Sequence, residues 1–358
     1  MDKKISYEGM TSQKGWFSIT PALSYNKALN MIVGPRSVGK SVSVAIFMLS
    51  QYLKTGRKFM YVRRTKDTLE LTAADWFTSA VEIMKDNGYE FDFSYDTKNY
   101  YINGEHCGYA LPLNAQQKYK GANFSDCDWI IFDEFIAFDG ERYLGSRTNP
   151  LAEYKALISL YQTVDRGVGQ PYRNKVKIIA LGNAETFYNP LFMGTKADKY
   201  LRLDAHFISP KDIPWMIQLV HREDSKASEE YKSSIGYQLS DERTKAYAYE
   251  NISKENGESQ FVKKLTTPMQ GICNFVWENH HMGVYADYKT GIFYISSKKN
   301  WAPQTFALST QDHRPNYFLA QHCNIFIKMV RDAYDEGKLF FETNNIKFYI
   351  DNYLNYTI

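Results

Sequence analysis

The sequence predicts an α/β protein built on a parallel central sheet, and three observations predict it. An apolar run, Leu29 to Val33, leads into Gly34-Pro35-Arg36-Ser37-Val38-Gly39-Lys40-Ser41 and then into the apolar-rich segment Val42 to Leu49. A second apolar run, Trp129 to Phe132, ends in the acid pair Asp133-Glu134. Around them, short apolar runs alternate with segments of helical periodicity, the pattern of strand–helix–strand units.

The spacing G-x-x-x-x-G-K-S between a strand and a helix is that of a phosphate-binding loop. Its glycines let the backbone turn N–H groups toward a phosphate chain, and the helix starting near Lys40 adds the positive end of its dipole. Gly34, Pro35, Arg36, Ser37, Val38, Gly39, Lys40 and Ser41 are therefore the expected ATP-binding residues. Lys40 is expected to reach the β- and γ-phosphates and Ser41 to hold Mg2+. The 28 residues ahead of this strand are polar and aromatic; Tyr25 and Asn26 could contact a base or pack over the strand ends.

After the loop helix, Gly56 reads as a stop, and Lys58 to Arg64 as a second strand. Arg63, Arg64 and Lys66 gather at its C-terminal end, the side of a parallel sheet where ligands bind. Leu69 to Asn87 reads as one amphipathic helix, and Tyr100 to Leu111 as a hairpin turning at Asn103-Gly104. The polar loop Asn114 to Gly121 interleaves Lys118 and Lys120 with Tyr119, a composition suited to nucleic acid or to a solvated connector. The run ending in Asp133-Glu134 is a Walker B arrangement: Asp133 is expected on the metal opposite Ser41, and Glu134 beside the attacking water. Asn149-Pro150 caps a helix continuing through Leu157 and Tyr161, and Val176 to Leu181 forms a further strand ending at Gly182-Asn183. Asn183 at that tip is a candidate γ-phosphate sensor. Residues 201 to 257 read as a helical connector. Ile272 to Trp277, Met282 to Tyr288 and Gly291 to Ser296 read as antiparallel strands, closed by a long helix, Asn316 to Glu336.

Composition excludes several classes. Hydrophobic residues make up 44% and charged residues 23% of the 358, so the chain is globular rather than disordered and long enough for two domains. The most apolar stretch, Trp129 to Phe138, is broken by Asp133 and Glu134, so no membrane span is expected. The start, Met1 to Tyr7, lacks the apolar core of a signal peptide, and a cytoplasmic location is expected. Cys107, Cys127, Cys273 and Cys323 form no C-x-x-C pair, which argues against a zinc site or a disulfide framework. A net charge of +3 is too small to argue for nucleic acid by itself, so any DNA contact has to come from local basic loops.

Arg36 in the loop, Phe59 to Arg64, Ile131 to Phe135, Thr163-Val164-Asp165-Arg166 and Leu181 to Ala184 occur in this order, and together the chain resembles the DNA-packaging ATPases of small podoviruses of the phi-29 type. It is more distantly similar to the large terminase subunits of tailed phages. The resemblance is specific over residues 20 to 195 and one of layout beyond. It implies an ASCE-type P-loop ATPase domain (1–200), the connector (201–257), and a small β-rich, vestigial RNase H-like C-terminal domain (258–358). It further implies a homo-oligomeric ring, a pentamer, docked in the host cytoplasm at the portal of an empty capsid, driving double-stranded DNA inward with help from a structural RNA.

In the family pattern an Arg after the helix that follows Walker B acts in trans, and Arg166 stands there; Lys66 is a second candidate trans cation. Arg36 is expected either to sense γ-phosphate or to bias Glu134 between engaged and parked positions. Lys118, Lys120 and Arg142 are the candidate pore residues. A nuclease of the RNase H kind needs clustered carboxylates for two metals, and the first C-terminal strand carries Cys273-Asn274-Phe275-Val276 instead. Glu278 and Asp287 read as surface acids, so no DNA cleavage is expected. Competing assignments are a helicase or cleaving terminase, and a nucleotide-gated scaffold that has no use for Glu134. A small-molecule kinase is disfavoured because it has little use for a base directed at water.

Overall fold

The computed structural model describes the chain except residues 1–4, 139–140, 146–148, 150, 166–174, 186–188, 201–204, 222–233, 241–244, 246–267, 278, 321–324 and 356–358. It forms two compact units, Met1–Tyr143 with Glu153–Lys254, and Leu144–Ala152 with Glu255–Ile358. No described helix is long and apolar enough to cross a membrane.

The first unit begins with helices α1 (Tyr7–Lys14) and α2 (Thr20–Ser24). Strand β1 (Leu29–Val33), buried along its whole length, passes through the glycine loop into α3 (Lys40–Thr55). Gly56, left-handed at φ 68°, ends α3 by donating its N–H to Tyr52. Then come β2 (Lys58–Arg63), α4 (Lys66–Thr72), α5 (Thr78–Asp86), β3 (Phe93–Asp96), β4 (Asn99–Ile102) and β5 (Glu105–Pro112). The single helix expected over 69–87 is in fact two, broken at residues 73–77. Asn103 and Gly104, both at positive φ, make the expected hairpin turn. The chain continues with β6 (Cys127–Asp133), α6 (Ala152–Val164), β7 (Lys177–Gly182), α7 (Pro190–Thr195), β8 (Phe207–Ile208), β9 (Trp215–Leu219) and α8 (Ile235–Leu239).

These strands form one nine-stranded sheet in the order β3-β4-β5-β2-β6-β7-β1-β9-β8. From β5 to β9 every pair is parallel, and antiparallel hairpins close both edges. β7 stands between β1 and β6, the insertion that defines the ASCE class. The sequence placed 201–257 in a connector. The structure differs: Trp215–Leu219 lies fully buried beside β1, because Trp215, Met216, Ile217 and Leu219 supply an apolar run that completes the sheet.

The second unit is a six-stranded sheet of β10 (Gln270–Trp277), β11 (His280–Asp287), β12 (Ile292–Ser296), β13 (Thr305–Ala307), β14 (Phe318–Leu319) and β15 (Leu339–Phe341). Its order is β14-β13-β10-β11-β12-β15, accompanied by α9 (Ile325–Asp335) and α10 (Asn344–Asn355). The three antiparallel strands read from sequence are β10 to β12. The helix expected over 316–336 starts later, since Phe318–Leu319 pairs with β13 instead.

Asn274 stands opposite Gly283 in the centre of this sheet and is wholly buried. Its amide donates to the carbonyls of Asn300 (3.4 Å) and Ala302 (3.1 Å), and its Oδ1 accepts from Asn300 N at 2.8 Å. Asn300 in turn donates from Nδ2 to the carbonyls of Cys273 and Val284. The 297–304 loop can lie this close only because residue 283 has no side chain: a Cβ there would fall 2.3 Å from Lys298 O.

Candidate active site

The C-terminal ends of the central strands meet at one level, since Val33 stands opposite Gly182, Asp133 opposite Leu181 and Phe132 opposite Val62. A cleft of ≈ 380 Å3 opens there. Arg36, Ser37, Gly39, Lys40, Ser41 and Val42 line one side; Asp133, Glu134, Leu181, Gly182 and Asn183 line the other. Residues scattered over about 150 positions of sequence therefore share one cleft because β7 lies between β1 and β6.

The loop is braced from outside. Gly39 adopts φ +80°, and a Cβ on it would fall 2.6 Å from Trp16 Cγ, so conformation and space both require glycine. Phe17 N donates to Val38 O at 3.0 Å, fixing the lead-in against the loop. At the other end, a Cβ on Gly34 would meet Val220 Cβ at 2.7 Å. Tyr25 stacks on Phe207 with ring centroids 5.5 Å apart, so it packs at the sheet edge.

Lys40 is buried and folds back on its own loop. Its Nζ donates to Gly34 O (2.8 Å), Pro35 O (2.6 Å) and Asn183 Oδ1 (3.2 Å). Burial pushes the ammonium down to about 7, with nearby Asp133 opposing the shift.

Across the cleft the two acids share a cation. Arg63 at the tip of β2 donates from Nη1 to Asp133 Oδ2 (3.1 Å) and from Nη2 to Glu134 Oε2. Asp133 is buried, and burial holds its carboxyl above the usual range against the pull of Arg63. Tyr61 Oη (3.2 Å) and Trp76 Nε1 (3.0 Å) also donate to Asp133 Oδ2. Glu134 takes a left-handed backbone, φ 56°, and its side chain remains half-exposed. Arg64 accounts for that turn: its Nη2 donates to the carbonyls of Glu134 (2.9 Å) and Phe135 (3.2 Å). The Arg64 guanidinium is itself held by buried Glu153 (2.8 Å) and by Glu141 (2.7 Å).

The arginine paired with Glu134 in this structure is Arg63; Arg36 is exposed and lies 5.5 Å from the Phe138 ring centroid. β2 and β6 are neighbours, which brings Arg63 to the acids. Sequence reasoning noticed Arg63 and Arg64 as cations at a strand end but gave them no partner. Lys66 is exposed at the start of α4 and pairs with Glu70 at 3.2 Å. Lys118 and Lys120 are exposed, the first on a 3-10 helix over Leu113–Tyr119 and the second just after it, and Arg142 is exposed beyond β6. Arg166, Glu278 and most of the connector lie outside the described residues.

The donor set suits a hard cation bound together with phosphate. Among the described residues no group of three or more His, Cys, Asp or Glu could hold a metal alone. Mg2+ is commonly bound by one or two side-chain oxygens, with water and substrate phosphates completing its shell. Ser41 Oγ and Asp133 Oδ1, which accepts no hydrogen bond from the described residues, fit that requirement.

Comparison with known proteins agrees with this architecture. The profile of the Podovirus DNA encapsidation protein (Gp16) family matches residues 13–356. The DNA packaging protein of Bacillus phage phi29 is 27% identical over 335 residues, covering 91% of this chain and 92% of its own. That of Bacillus phage B103 is 28% identical over 330 residues, covering 89% and 94%. Among solved structures, a chain of the bacteriophage phi-29 viral genome packaging motor assembly matches with a TM-score of 0.69 at 23% identity, covering 95% of this chain and 99% of that one.

Proposed function

This chain belongs to the podovirus DNA encapsidation protein (Gp16) family, and from that premise we propose that it is an ATP-hydrolysing motor that drives double-stranded viral DNA into a preformed capsid. The observation that carries the proposal is the single cleft shared by the glycine loop, Lys40, Ser41, Asp133, Glu134 and Asn183. A binding scaffold needs the loop; only a water-splitting enzyme needs Glu134 beside it.

A triphosphate entering the cleft offers Lys40 a charged partner in place of two carbonyls and an amide, so the ammonium turns from Gly34, Pro35 and Asn183 toward phosphate. Asn183, released from Lys40, is then placed to contact the γ-phosphate or the water. Mg2+ held by Ser41 and Asp133 would supply charge to the phosphate oxygens. Glu134 must leave Arg63 to orient the attacking water, and its half-exposed side chain has room to do so. Arg64 keeps the Glu134 backbone in place during that change because its contacts are to main-chain carbonyls.

Arg166 from a neighbouring subunit is proposed to neutralise charge on the transferred phosphoryl, with Lys66 as a second trans cation. Such a finger is worth ~10³ to 10⁵ in rate, which makes each firing depend on the neighbour. The subunits are proposed to form a ring, a pentamer, on the capsid portal in the host cytoplasm, with a structural RNA. DNA is gripped by Lys118, Lys120 and Arg142. The C-terminal unit is read as a nuclease-like domain without chemistry, supported by the buried amide of Asn274 at mid-strand, whose hydrogen bonds all stay within the unit.

Purified protein should hydrolyse ATP, and faster with double-stranded DNA. Mixing in Arg166→Ala subunits should depress the rate by more than their share. A rate falling in strict proportion to the mutant fraction would mean each subunit fires alone.

A further inference from the structure

We propose that Trp76 and Tyr61 are positioning residues for the metal-facing carboxylate: two neutral donors that keep Asp133 aimed while Arg63 lets go of it. The proposal rests on the ATPase assignment of this cleft. Three donors, Trp76 Nε1, Arg63 Nη1 and Tyr61 Oη, converge at 3.0 to 3.2 Å on one oxygen, Asp133 Oδ2. A carboxylate oxygen has about two lone-pair sites, so Oδ2 is saturated and Oδ1 is the atom left to face a ligand.

The three donors differ in kind. Arg63 carries a positive charge and is shared with Glu134, so it offsets the negative charge a dication requires and must yield when one arrives. The indole N–H and the phenol O–H fix the carboxylate's orientation without cancelling its charge. Both reach the same oxygen, Trp76 Nε1 at 3.0 Å and Tyr61 Oη at 3.2 Å.

The indole sits in a break between two helices. The helix legible over 69–87 breaks at 73–77, and Trp76 in that break reaches Asp133 from 57 residues away along the chain. Its ring lies 4.7 Å from both Tyr61 and Phe77, and Phe77 continues the aromatic packing to Tyr100 at 4.8 Å. An indole needed only for packing could give its N–H to any carbonyl; this one is delivered to the buried acid.

The test uses the full-length chain, with Mn2+ as the probe read by electron paramagnetic resonance in the presence of ADP. Trp76→Phe keeps the ring and removes the donor; Tyr61→Phe does the same at the second position and guards against a folding defect in the first. Each should bind ADP in EDTA as the unsubstituted chain does, yet hold Mn2+ in the ADP complex on the order of tenfold more weakly, the effect of one lost hydrogen bond to a charged group. In the unsubstituted protein, the Trp76 Nε1–H resonance should shift when Mg2+ is added to the ADP complex, identified as the indole signal missing from Trp76→Phe. Unchanged Mn2+ affinity in both variants, with ADP still bound, overturns the positioning role while leaving the ATPase assignment standing. An unsubstituted chain that binds no ADP overturns the assignment itself, and this role with it.

Discussion

In the first unit, Asp133 and Glu134 lean on one cation from a neighbouring strand, and one of them sits on a left-handed backbone. In the second, Glu342 takes its hydrogen bonds from Ser296 Oγ, Ser297 Oγ and Ser297 N, and the Ser297 hydroxyl bond leads in holding its carboxyl below the usual range. Asp312 likewise accepts from Ser309 Oγ and Asn279 N. The contrast separates two uses of an acid. A carboxylate held by neutral hydroxyls and backbone N–H groups of nearby loops is fixed in place by its own unit. One paired with a movable guanidinium can exchange that cation for a ligand cation, which then takes up the charge the arginine had offset. The same division applies to amides: Asn183 holds Lys40 in the cleft, whereas Asn274 spends its hydrogen bonds pinning a loop to its own sheet.

The largest break in this comparison is Glu134→Gln. Losing a general base costs typically 10²- to 10⁴-fold in rate, so ATP turnover should fall by about that factor. Stability should move by less than about 1 kcal/mol, because the ion pair with Arg63 is half-exposed on the Glu134 side and Gln can still accept from Arg63. Steady-state hydrolysis and denaturant melts of the same preparation separate the two. A variant that melts early with turnover retained would place Glu134 among the structural acids.

Asn274→Asp is the mirror experiment in the second unit, with the effect in stability. A carboxylate there cannot donate to the carbonyls of Ala302 and Asn300, and it is wholly buried facing them. The expected loss is about 3 kcal/mol or more, read from the denaturant midpoint, with no Mn2+-dependent cutting of DNA gained. A variant that stays folded and cuts DNA would show that the nuclease chemistry lacks only one acid.

How much of this was legible in the sequence follows from how local each feature is. The loop, its flanking strand and helix, the acid pair and the Asn103-Gly104 turn are written in consecutive residues, and each stands where it was read. Features fixed by distant partners were not legible. β9 is five residues with a Gln among them, and only its place beside β1 makes it a core strand. The break in the helix over 69–87 carries no Gly or Pro to announce it, and the indole within it donates to Asp133, 57 residues away. Whether Arg36 or Arg63 reaches Glu134 depends on strand order, which no local pattern records. In the sequence Arg64 is only one of three cations at a ligand-binding strand end; its partner, buried Glu153, lies on a helix 89 residues further along.

The smallest expected effect asks which unit grips DNA. Lys118 and Lys120 are exposed and make no ion pair among the described residues, so each is free to neutralise one phosphate. The loop carrying them is tied to the ATP side of the sheet: Asn114 N, at its start, donates to Arg64 O at 3.1 Å, and the Arg64 side chain holds the Glu134 carbonyl. Each phosphate contact contributes about 0.9 to the slope of log affinity against log salt, so replacing both lysines by Ala should flatten that slope by about 1.8. ATP affinity without DNA should be unaffected, since neither lysine lines the cleft. A slope that stays put while the protein still binds DNA would move the grip to other cations, with Arg142 the next to replace.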